Sequence, residues 1–550
     1  MSDAKATVIK RGSIQESRRD TKLHYARRGE TLSDTLHDTE GITGFDPEWM
    51  RARTSLTADE EVKLLRRVDW HIMPLCAIMF LLKNIDFENV LWNRSRSPVD
   101  MLTIPVQVSN AKIMNKGTDR NILTQLKMSS DQYSLVTVLY YIPYIVAETP
   151  SNLLFKRLLP SRWQSRIMVS WGITLACHAA VQSQHGLYAV RFLLGLFEAG
   201  MFPGVILQLC YWYRPDEMSL RLLYFYILGN FSGIISGVLA FAFDSVSGSY
   251  GLSGWQWLFL TEGVITVAFG ILLFFIFPDF PPQAKWLSEK EKAFIQARLP
   301  RNAPRAEEIN FNFREIVDSL KDTRLWLFTL IWAFFTVGTH GLRFYQPTVI
   351  ANLGFTAIAT SQLLNIPTSV LTVVCIGVFG IWADSSRLPR PLYPLSFLVV
   401  ILACYGVLYS FPSNGAVYAV TVIANALGSA WFPLMWPWRV QTTSRATGSA
   451  FSIGFVNSYG QIGGAIGPQI FRSQYAPKYT IPFAVTMGLM AACILATLLT
   501  WWVTRHTERE TRRLKRARLE AMKRGEAILG DVVNDGKGKR DGGRDRTGDV

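Results

Sequence analysis

Two ionisable residues, Arg191 and Glu198, stand seven positions apart within a long apolar segment of the sequence. Two turns of an α-helix cover about 7.2 residues, so this spacing places both side chains on one helix face. Ionisable groups at membrane depth are costly and normally face a partner or a water-filled cavity. The pair therefore predicts a solute or proton site. The alternative is that Arg191 extends to the membrane interface and Glu198 caps a neighbouring helix.

Further polar candidates stand in other apolar segments. They are Asp86, Glu148, His340, Arg343, Tyr345 and Gln346. Arginine suits a carboxylate solute because it can donate two parallel hydrogen bonds, and a carboxyl or histidine suits a proton. His340 alone is equally consistent with a core histidine, and Lys83 and Glu88 with residues among lipid headgroups.

Twelve long apolar segments must position these residues. The chain has 550 residues, of which 49% are hydrophobic and only 18% charged. A membrane-spanning helix needs about 20 apolar residues. Segments of this kind cover about 72–90, 133–155, 166–183, 187–212, 220–242, 256–277, 325–350, 361–382, 393–411, 416–437, 448–471 and 480–503. We refer to them as spans one to twelve. The sequence thus predicts an all-α membrane protein with twelve transmembrane helices.

The two groups of six spans resemble one another. Phe202-Pro203 matches Phe432-Pro433, and each match below has the same offset of 230 residues. The matched residues are Gly233 with Gly463, Gly237 with Gly467, and Arg157 with Arg387. Parallel repeats of six spans are an architecture of secondary transporters, with the solute site between the halves. We therefore predict two six-helix pseudo-repeats that transport a small solute.

The distribution of basic residues predicts the orientation. Connections after spans two, four, eight and ten contain Lys and Arg, whereas the turns near 184–186, 351–360 and 412–415 contain none. This asymmetry places both chain ends in the cytoplasm. The basic connection between spans one and two is an exception. The predicted regions are a tail at 1–70, bundles at 71–277 and 325–504, a cytoplasmic loop at 278–324 and a second tail at 505–550. The charged residues from Glu508 to Arg524 predict a solvated helix followed by disorder.

Small and charged residues at the span ends indicate how the halves move. Gly380, Asp384 and Arg387 follow a G-x-x-x-D-x-x-R pattern at the end of span eight, and Arg157 ends its repeat mate. Asp384 could cap a helix or pair with a basic residue of a neighbour. The glycines in spans five and eleven (Gly233, Gly237, Gly463 and Gly467) favour close helix packing rather than ligand binding.

Several other functions are disfavoured. Six cysteines lie within apolar segments without C-x-x-C spacing, so neither disulfides nor a metal site is predicted. The net charge of +15 is not arranged in a basic-aromatic motif for nucleic acid. A membrane enzyme or nutrient receptor remains an alternative, but the sequence contains no HExxH or GxSxG arrangement. No cofactor is expected.

Several motifs are similar to those of a known family. They are Glu198-Ala-Gly-Met-Phe-Pro-Gly204, Pro150-Ser-Asn-Leu-Leu-Phe-Lys-Arg157, Tyr211-Trp-Tyr-Arg214, Gly254-Trp-Gln-Trp-Leu-Phe259 and Tyr345-Gln-Pro-Thr-Val-Ile350. Over about 55–505 the chain resembles the anion:cation symporter family of the major facilitator superfamily, and within it the fungal allantoate permease-like branch. The resemblance implies uptake of a small organic anion such as allantoate, pantothenate or nicotinate, with protons, by a monomer in the plasma membrane.

The resemblance also implies that spans one, four, seven and ten line a shared cavity, where Arg191 and Arg343 would attract the anion and Asp86 and Glu198 would carry the proton. Export of a secondary metabolite or drug on the same fold is the alternative. One departure is an additional segment at Leu91 to Val108, which we interpret as a retained intron or a genuine insertion.

Overall fold

A computed structural model gives the fold of the chain. It describes residues 23, 25–29, 47–88, 119–300, 303–306, 310–352, 366–410, 413–443, 445–471 and 479–529. The additional segment at 91–108 lies outside the described residues. So do the side chains of Arg343, Tyr345 and Gln346, although their backbone is helical.

The first half of the chain contains ten α-helices, eight of which form its six spans. After the short strand β1 (Tyr25–Arg27), they are α1 (Pro47–Thr54), α2 (Ala58–Glu88), α3 (Ile122–Gln125), α4 (Ser130–Arg157), α5 (Pro160–Cys177), α6 (Gln184–Glu198), α7 (Met201–Trp212), α8 (Met218–Asn230), α9 (Ser232–Ser245) and α10 (Gly254–Ile276). Helices α1 and α3 are short and lie outside the spans. Spans four and five are each divided, into α6 with α7 and α8 with α9.

The second half repeats this arrangement after two short polar helices, α11 (Glu289–Arg298) and α12 (Phe313–Lys321). Its spans are α13 (Thr323–Asn352), α14 (Ile366–Asp384), α15 (Leu392–Ser410), α16 (Asn414–Val440), α17 (Ala446–Gly460), α18 (Ile462–Ile470) and α19 (Thr480–Lys523), and strand β2 (Glu526–Ile528) follows. Helices or helix pairs therefore occupy all twelve predicted segments. Nine of them, within the described residues, are long and apolar enough to cross a membrane.

A break in the helix supports the internal repeat. Span five is interrupted between Asn230 and Ser232, and span eleven between Gly460 and Ile462. The two breaks have the same offset of 230 residues as the matched glycines. The duplication therefore extends from sequence to backbone geometry.

Buried aromatic and aliphatic side chains join the helices into one hydrophobic core. Many apolar side chains stay on the outer surface, such as Phe275 of α10 and Leu495 of α19. This distribution suits a lipid environment, where exposed apolar surface carries no hydrophobic penalty.

The described residues nearest to the two chain ends lie together at one end of the bundle, which we call the terminal face. Strand β1 pairs antiparallel with β2, so residues near the start of the chain contact residues near its end. Helix α19 continues through the predicted tail, and Glu508, Leu514 and Ala521 on one of its faces are buried. The predicted helix from Glu508 to Arg524 is therefore present up to Lys523, but one of its faces is buried rather than solvated, and strand β2 follows it. The strands and the 385–391 connection cover one face of the helix.

Candidate functional site

Four ionisable side chains from three spans lie buried in the first half. Asp86 of α2 is 3% exposed, Arg191 and Glu198 of α6 are 2% exposed, and Glu262 of α10 is 5% exposed. Asp86 interacts electrostatically with the other three groups. The structure thus brings together three of the predicted site residues. The sequence reasoning missed Glu262, although a single carboxyl within an otherwise apolar span was a visible signal.

Lys83 provides a second cation beside this cluster. Its ammonium group lies 3.4 Å from Oε1 of Glu198, and its side chain is 14% exposed. The same nitrogen lies 5.7 Å from the centre of the Tyr144 ring, which is within the range of a cation–π contact. Lys83 is therefore turned toward span four, and a position among lipid headgroups is excluded in this structure.

Arg191 lies in the same helix as Glu198, seven residues earlier. Its guanidinium carbon is 5.1 Å from the centre of the Phe259 ring of α10. Its charge interacts with Asp86 and Glu198. Arg191 is fully enclosed, so the alternative in which it extends to the membrane interface does not apply here. Oδ2 of Asp86 and Nε of Arg191 have no hydrogen-bond partner within the described part of the chain.

Glu148 links the two halves at membrane depth. It is completely buried and accepts a hydrogen bond from Nδ2 of Asn457 in α17. One residue further on, the hydroxyl groups of Thr149 and Ser458 lie 3.2 Å apart. Asn457 was not predicted, since a single asparagine in an apolar span is not distinctive. Its importance follows only from the contact between spans two and eleven.

The predicted candidates of span seven lie elsewhere or outside the description. His340 is half-buried, and a Cβ built on Gly467 would lie 3.1 Å from the Cβ of His340. It therefore packs against span eleven. Arg343, Tyr345 and Gln346 are not described beyond their backbone, so their place in a shared cavity stays a prediction.

The predicted glycines occupy close helix contacts. A Cβ on Gly380 would overlap Leu223 of α8, and one on Gly463 would overlap the backbone of Thr336. A Cβ on Gly233 would lie 3.0 Å from Oγ of Ser369. Gly237 lies in α9. The contacts of Gly233 and Gly380 join spans five and eight, which belong to different halves.

In the described part of the chain, the predicted basic residues, Arg157 and Arg387, are not the ones that contact the opposite half; residues close to them in the sequence make these contacts. Arg157 and Arg387 are exposed, whereas Lys156 and Arg390 are buried. Nζ of Lys156 donates to Oγ1 of Thr447 at 2.7 Å. Nη2 of Arg390 donates to the backbone oxygen of Asp216 at 3.1 Å.

Asp384 pairs with a basic residue, as the sequence suggested. Nζ of Lys515 lies 2.6 Å from Oδ1 of Asp384 and also donates to its backbone oxygen. The partner comes from the extension of α19, which the sequence alone did not reveal.

An ionic network covers the terminal face. Glu217 accepts hydrogen bonds from Arg298 of α11 and from Arg214, the latter at 2.9 Å. Burial opposes ionisation of Glu217, but the guanidinium groups of Arg298, Arg214 and Arg221 outweigh it and hold the pKa of this carboxyl well below its usual range. The connection between spans four and five is therefore fixed to the central loop by charge.

Comparison with known proteins agrees with this arrangement. The chain is 28% identical over 509 residues to the MFS-type transporter cnsO of Penicillium expansum, which covers 90% of this chain and 93% of that protein. It is 26% identical to a putative tartrate transporter of Agrobacterium vitis, over 76% of this chain and 86% of that protein. The fold resembles the human organic anion transporter MFSD10, with a TM-score of 0.56, 11% identity, and coverage of 78% of this chain and 99% of that one.

Twelve helical segments in two repeats, with ionisable groups enclosed at membrane depth, define a multi-pass membrane transporter. The Major Facilitator Superfamily model matches residues 118–468. The chain belongs to this superfamily. Its relatives and structural neighbours are transporters rather than enzymes.

Proposed function

We propose that this transporter takes up a small organic anion together with protons, as expected of the anion:cation symporter family and its allantoate permease-like branch. The observation that carries the proposal is the buried pair of Lys83 and Glu198 beside Arg191. When a solute carboxylate arrives, it can replace a protein carboxylate as the partner of one of these two enclosed cations, so that neither cation is left without an opposite charge. The named relative that carries tartrate and the neighbour that carries organic anions support the same class of solute.

The number of acidic groups supports proton coupling. Among the described residues, Asp86, Glu198 and Glu148 are buried near the cations Lys83 and Arg191. Enclosing more acids than cations would be very costly, so this group of residues has the capacity to bind protons. In our proposal, the arriving anion pairs with Arg191, while Glu198 and Asp86 hold the proton that accompanies it.

Alternating access then requires the halves to rock about their contacts. The hydrogen bonds from Asn457 to Glu148 and between Thr149 and Ser458 join the halves at membrane depth. The glycine contacts allow the helices to slide at short separation. His340, Arg343, Tyr345 and Gln346 are proposed to face the solute from span seven.

The terminal face is proposed to be cytoplasmic, in the plasma membrane. The basic connections between spans lie on this face, as in the positive-inside rule. Lys156 and Arg390 on it are buried against the opposite half. The monomer contains the whole proposed site.

The test is uptake by purified protein in liposomes. Labelled tartrate, nicotinate, pantothenate and allantoate are offered with an inward pH gradient and again with a protonophore. We expect at least one anion to accumulate only with the gradient. Glu198→Gln should abolish this accumulation and retain exchange of labelled for unlabelled anion, because exchange needs no net proton movement. Arg191→Gln should lose both activities.

Arg162→Gln is the matched control, since Arg162 is exposed on the terminal face. Accumulation that is unaffected by the protonophore would contradict proton coupling. Failure of all four anions, combined with build-up of a metabolite in cells that lack the gene, would favour export of a secondary metabolite or drug.

A further inference from the structure

A cavity of about 120 Å³ opens on the terminal face, and its lining contains no residue of the buried cluster around Asp86 and Glu198. Its walls come from β1, α1, the start of α2, the connection between α7 and α8, α11, the end of α19, and β2. Residues near both chain ends therefore meet both halves around one opening.

Basic groups predominate in the lining. The cations are Arg28, Arg53, Arg214, Arg298, Lys515 and Arg518. The acids are Glu61, Asp216, Glu217 and Glu526. The lining thus holds six cations and four acids, and it keeps an excess of positive charge even with Lys515 paired to Asp384 outside it.

Arg298 shows that these acids do not satisfy every donor. Its side chain is 2% exposed, and its Nη2 donates to Glu217 while Nε lies 3.5 Å from Oε1 of Glu61. Nη1 has no hydrogen-bond partner among the residues that the structure describes. A buried guanidinium N–H without an acceptor is unfavourable, and an anion in the cavity would supply one.

We propose that this cavity binds a phosphate-class dianion. An anion is favoured by the excess of cations in the lining, and arginine groups match the oxygens of a phosphate in geometry. Pockets for drug-sized ligands begin at roughly 300 Å³, so a cavity of this volume suits a phosphate group and excludes a whole nucleotide. The group could belong to free phosphate or to a phosphorylated lipid headgroup.

The position of the cavity connects its occupant to both halves. Arg518 of α19 lies 2.7 Å from Oδ1 of Asp216, which is part of the first half. Nε of Arg28 donates to the backbone oxygen of Glu526 at 3.0 Å. A bound dianion would strengthen contacts among these elements and favour the arrangement in which the terminal face is closed.

The experiment measures binding to the full-length protein in detergent. Radiolabelled inorganic phosphate is titrated at constant ionic strength, with chloride as the replacement anion. We expect saturable binding of about one phosphate per chain and a rise in the thermal unfolding temperature that chloride does not produce. Arg28→Gln should weaken binding at least tenfold, because it removes one of the cations that line the cavity. Arg162→Gln, on the same face and outside the lining, should bind like the unaltered protein.

Replacing the buried Arg298 by lysine separates the contribution of the planar guanidinium group from that of its charge. Arg298→Lys keeps the charge and removes the planar group, so it should also weaken binding, and its folding is checked by its unfolding temperature. If Arg298→Lys does not fold, Arg28→Gln alone decides. Equal binding to the unaltered protein and to Arg28→Gln would overturn the proposed site.

The two sources of phosphate are separated with lipid vesicles. The protein is reconstituted with or without a phosphatidylinositol phosphate, and its unfolding temperature is compared. Stabilisation by this lipid, lost in Arg28→Gln, would assign the cavity to a headgroup even if free phosphate binds weakly. If neither free phosphate nor the lipid stabilises the folded protein, the proposal is overturned.

Discussion

Replacing Lys83 by methionine tests the buried ion pair with Glu198. The change removes the ammonium group that lies 3.4 Å from Oε1 of Glu198 and preserves most of the side-chain volume. Glu198 would then either remain ionised without this partner, at about 3–5 kcal/mol for a broken buried pair, or take up a proton. Protonating a glutamate of ordinary pKa, about 4.3, costs ~1.36 kcal/mol for each pH unit above that value.

Whichever of these two outcomes costs less free energy sets the upper limit of the destabilisation. At pH 7 protonation costs about 3.7 kcal/mol, and at pH 5 it costs about 1 kcal/mol. We therefore expect Lys83→Met to lower the free energy of unfolding by less than about 4 kcal/mol at pH 7 and by much less at pH 5. Arg191 interacts with the same carboxyl, and this would reduce the loss further.

Thermal unfolding in detergent, followed by tryptophan fluorescence, measures the effect at several pH values. The double variant Lys83→Met with Glu198→Gln has no charge to protonate, so its unfolding temperature should exceed that of Lys83→Met at pH 7 and should vary less with pH. An equal loss in Lys83→Met at pH 5 and pH 7, with no recovery in the double variant, would refute the ion pair.

Three other changes test separate contacts. Gly463→Ala should lower the free energy of unfolding by about 1–3 kcal/mol through overpacking, because a Cβ there overlaps the opposing backbone. Gly488→Ala, where a Cβ meets nothing within 4 Å, should not lower it, and equal losses in the two variants would contradict the packing. Lys156→Met should change the transport rate more than Arg157→Met, because only Lys156 contacts the other half; the reverse order in the liposome assay would contradict this. Glu217→Gln should lower the unfolding temperature equally at pH 7 and pH 5.5. A carboxyl with a lowered pKa contributes its full stability above the usual pKa of 4.5 and loses that contribution only as the pH falls toward the lowered pKa. A difference between the variant and the unaltered protein that disappears at pH 5.5 would contradict this.

The segments and their repeat could be predicted from the sequence because lipid restricts what an apolar stretch of about 20 residues can form. The matched glycines already indicated the symmetry that the breaks after Asn230 and Gly460 display. The additional structure of the tails could not be predicted. Strands β1 and β2 are three residues each and pair across almost the whole chain, so no local pattern indicates them.

The site was predictable only within single helices. Arg191 and Glu198 share one helix, so their spacing sufficed. The pairing of Lys83 with Glu198 depends on how spans one and four cross, which periodicity does not contain. The choice between Lys156 and Arg157 is similar, because successive residues of a helix point about 100° apart and only the rotation of span two decides which one faces the other half.

The charged groups are distributed unequally over a duplicated scaffold. At the offset of 230 residues, Arg191 corresponds to Thr421 and Glu198 to Gly428. The hydroxyl of Thr421 is satisfied within its own helix, by the backbone oxygen of Val417 at 2.6 Å. The second half therefore has uncharged residues at the positions where the first half has Arg191 and Glu198.

This inequality bears on the cost of rocking. Among the described residues at membrane depth, the contacts between halves that involve polar side chains include the hydrogen bonds of Glu148 with Asn457 and of Thr149 with Ser458. Ion pairs that join the halves, such as Arg518 with Asp216, lie on the terminal face. The pair of Lys83 and Glu198 lies within the first half and would move as one body. We therefore expect the halves to separate without breaking an ion pair at membrane depth, which would cost about 3–5 kcal/mol, and so to keep that part of the barrier between the two states low.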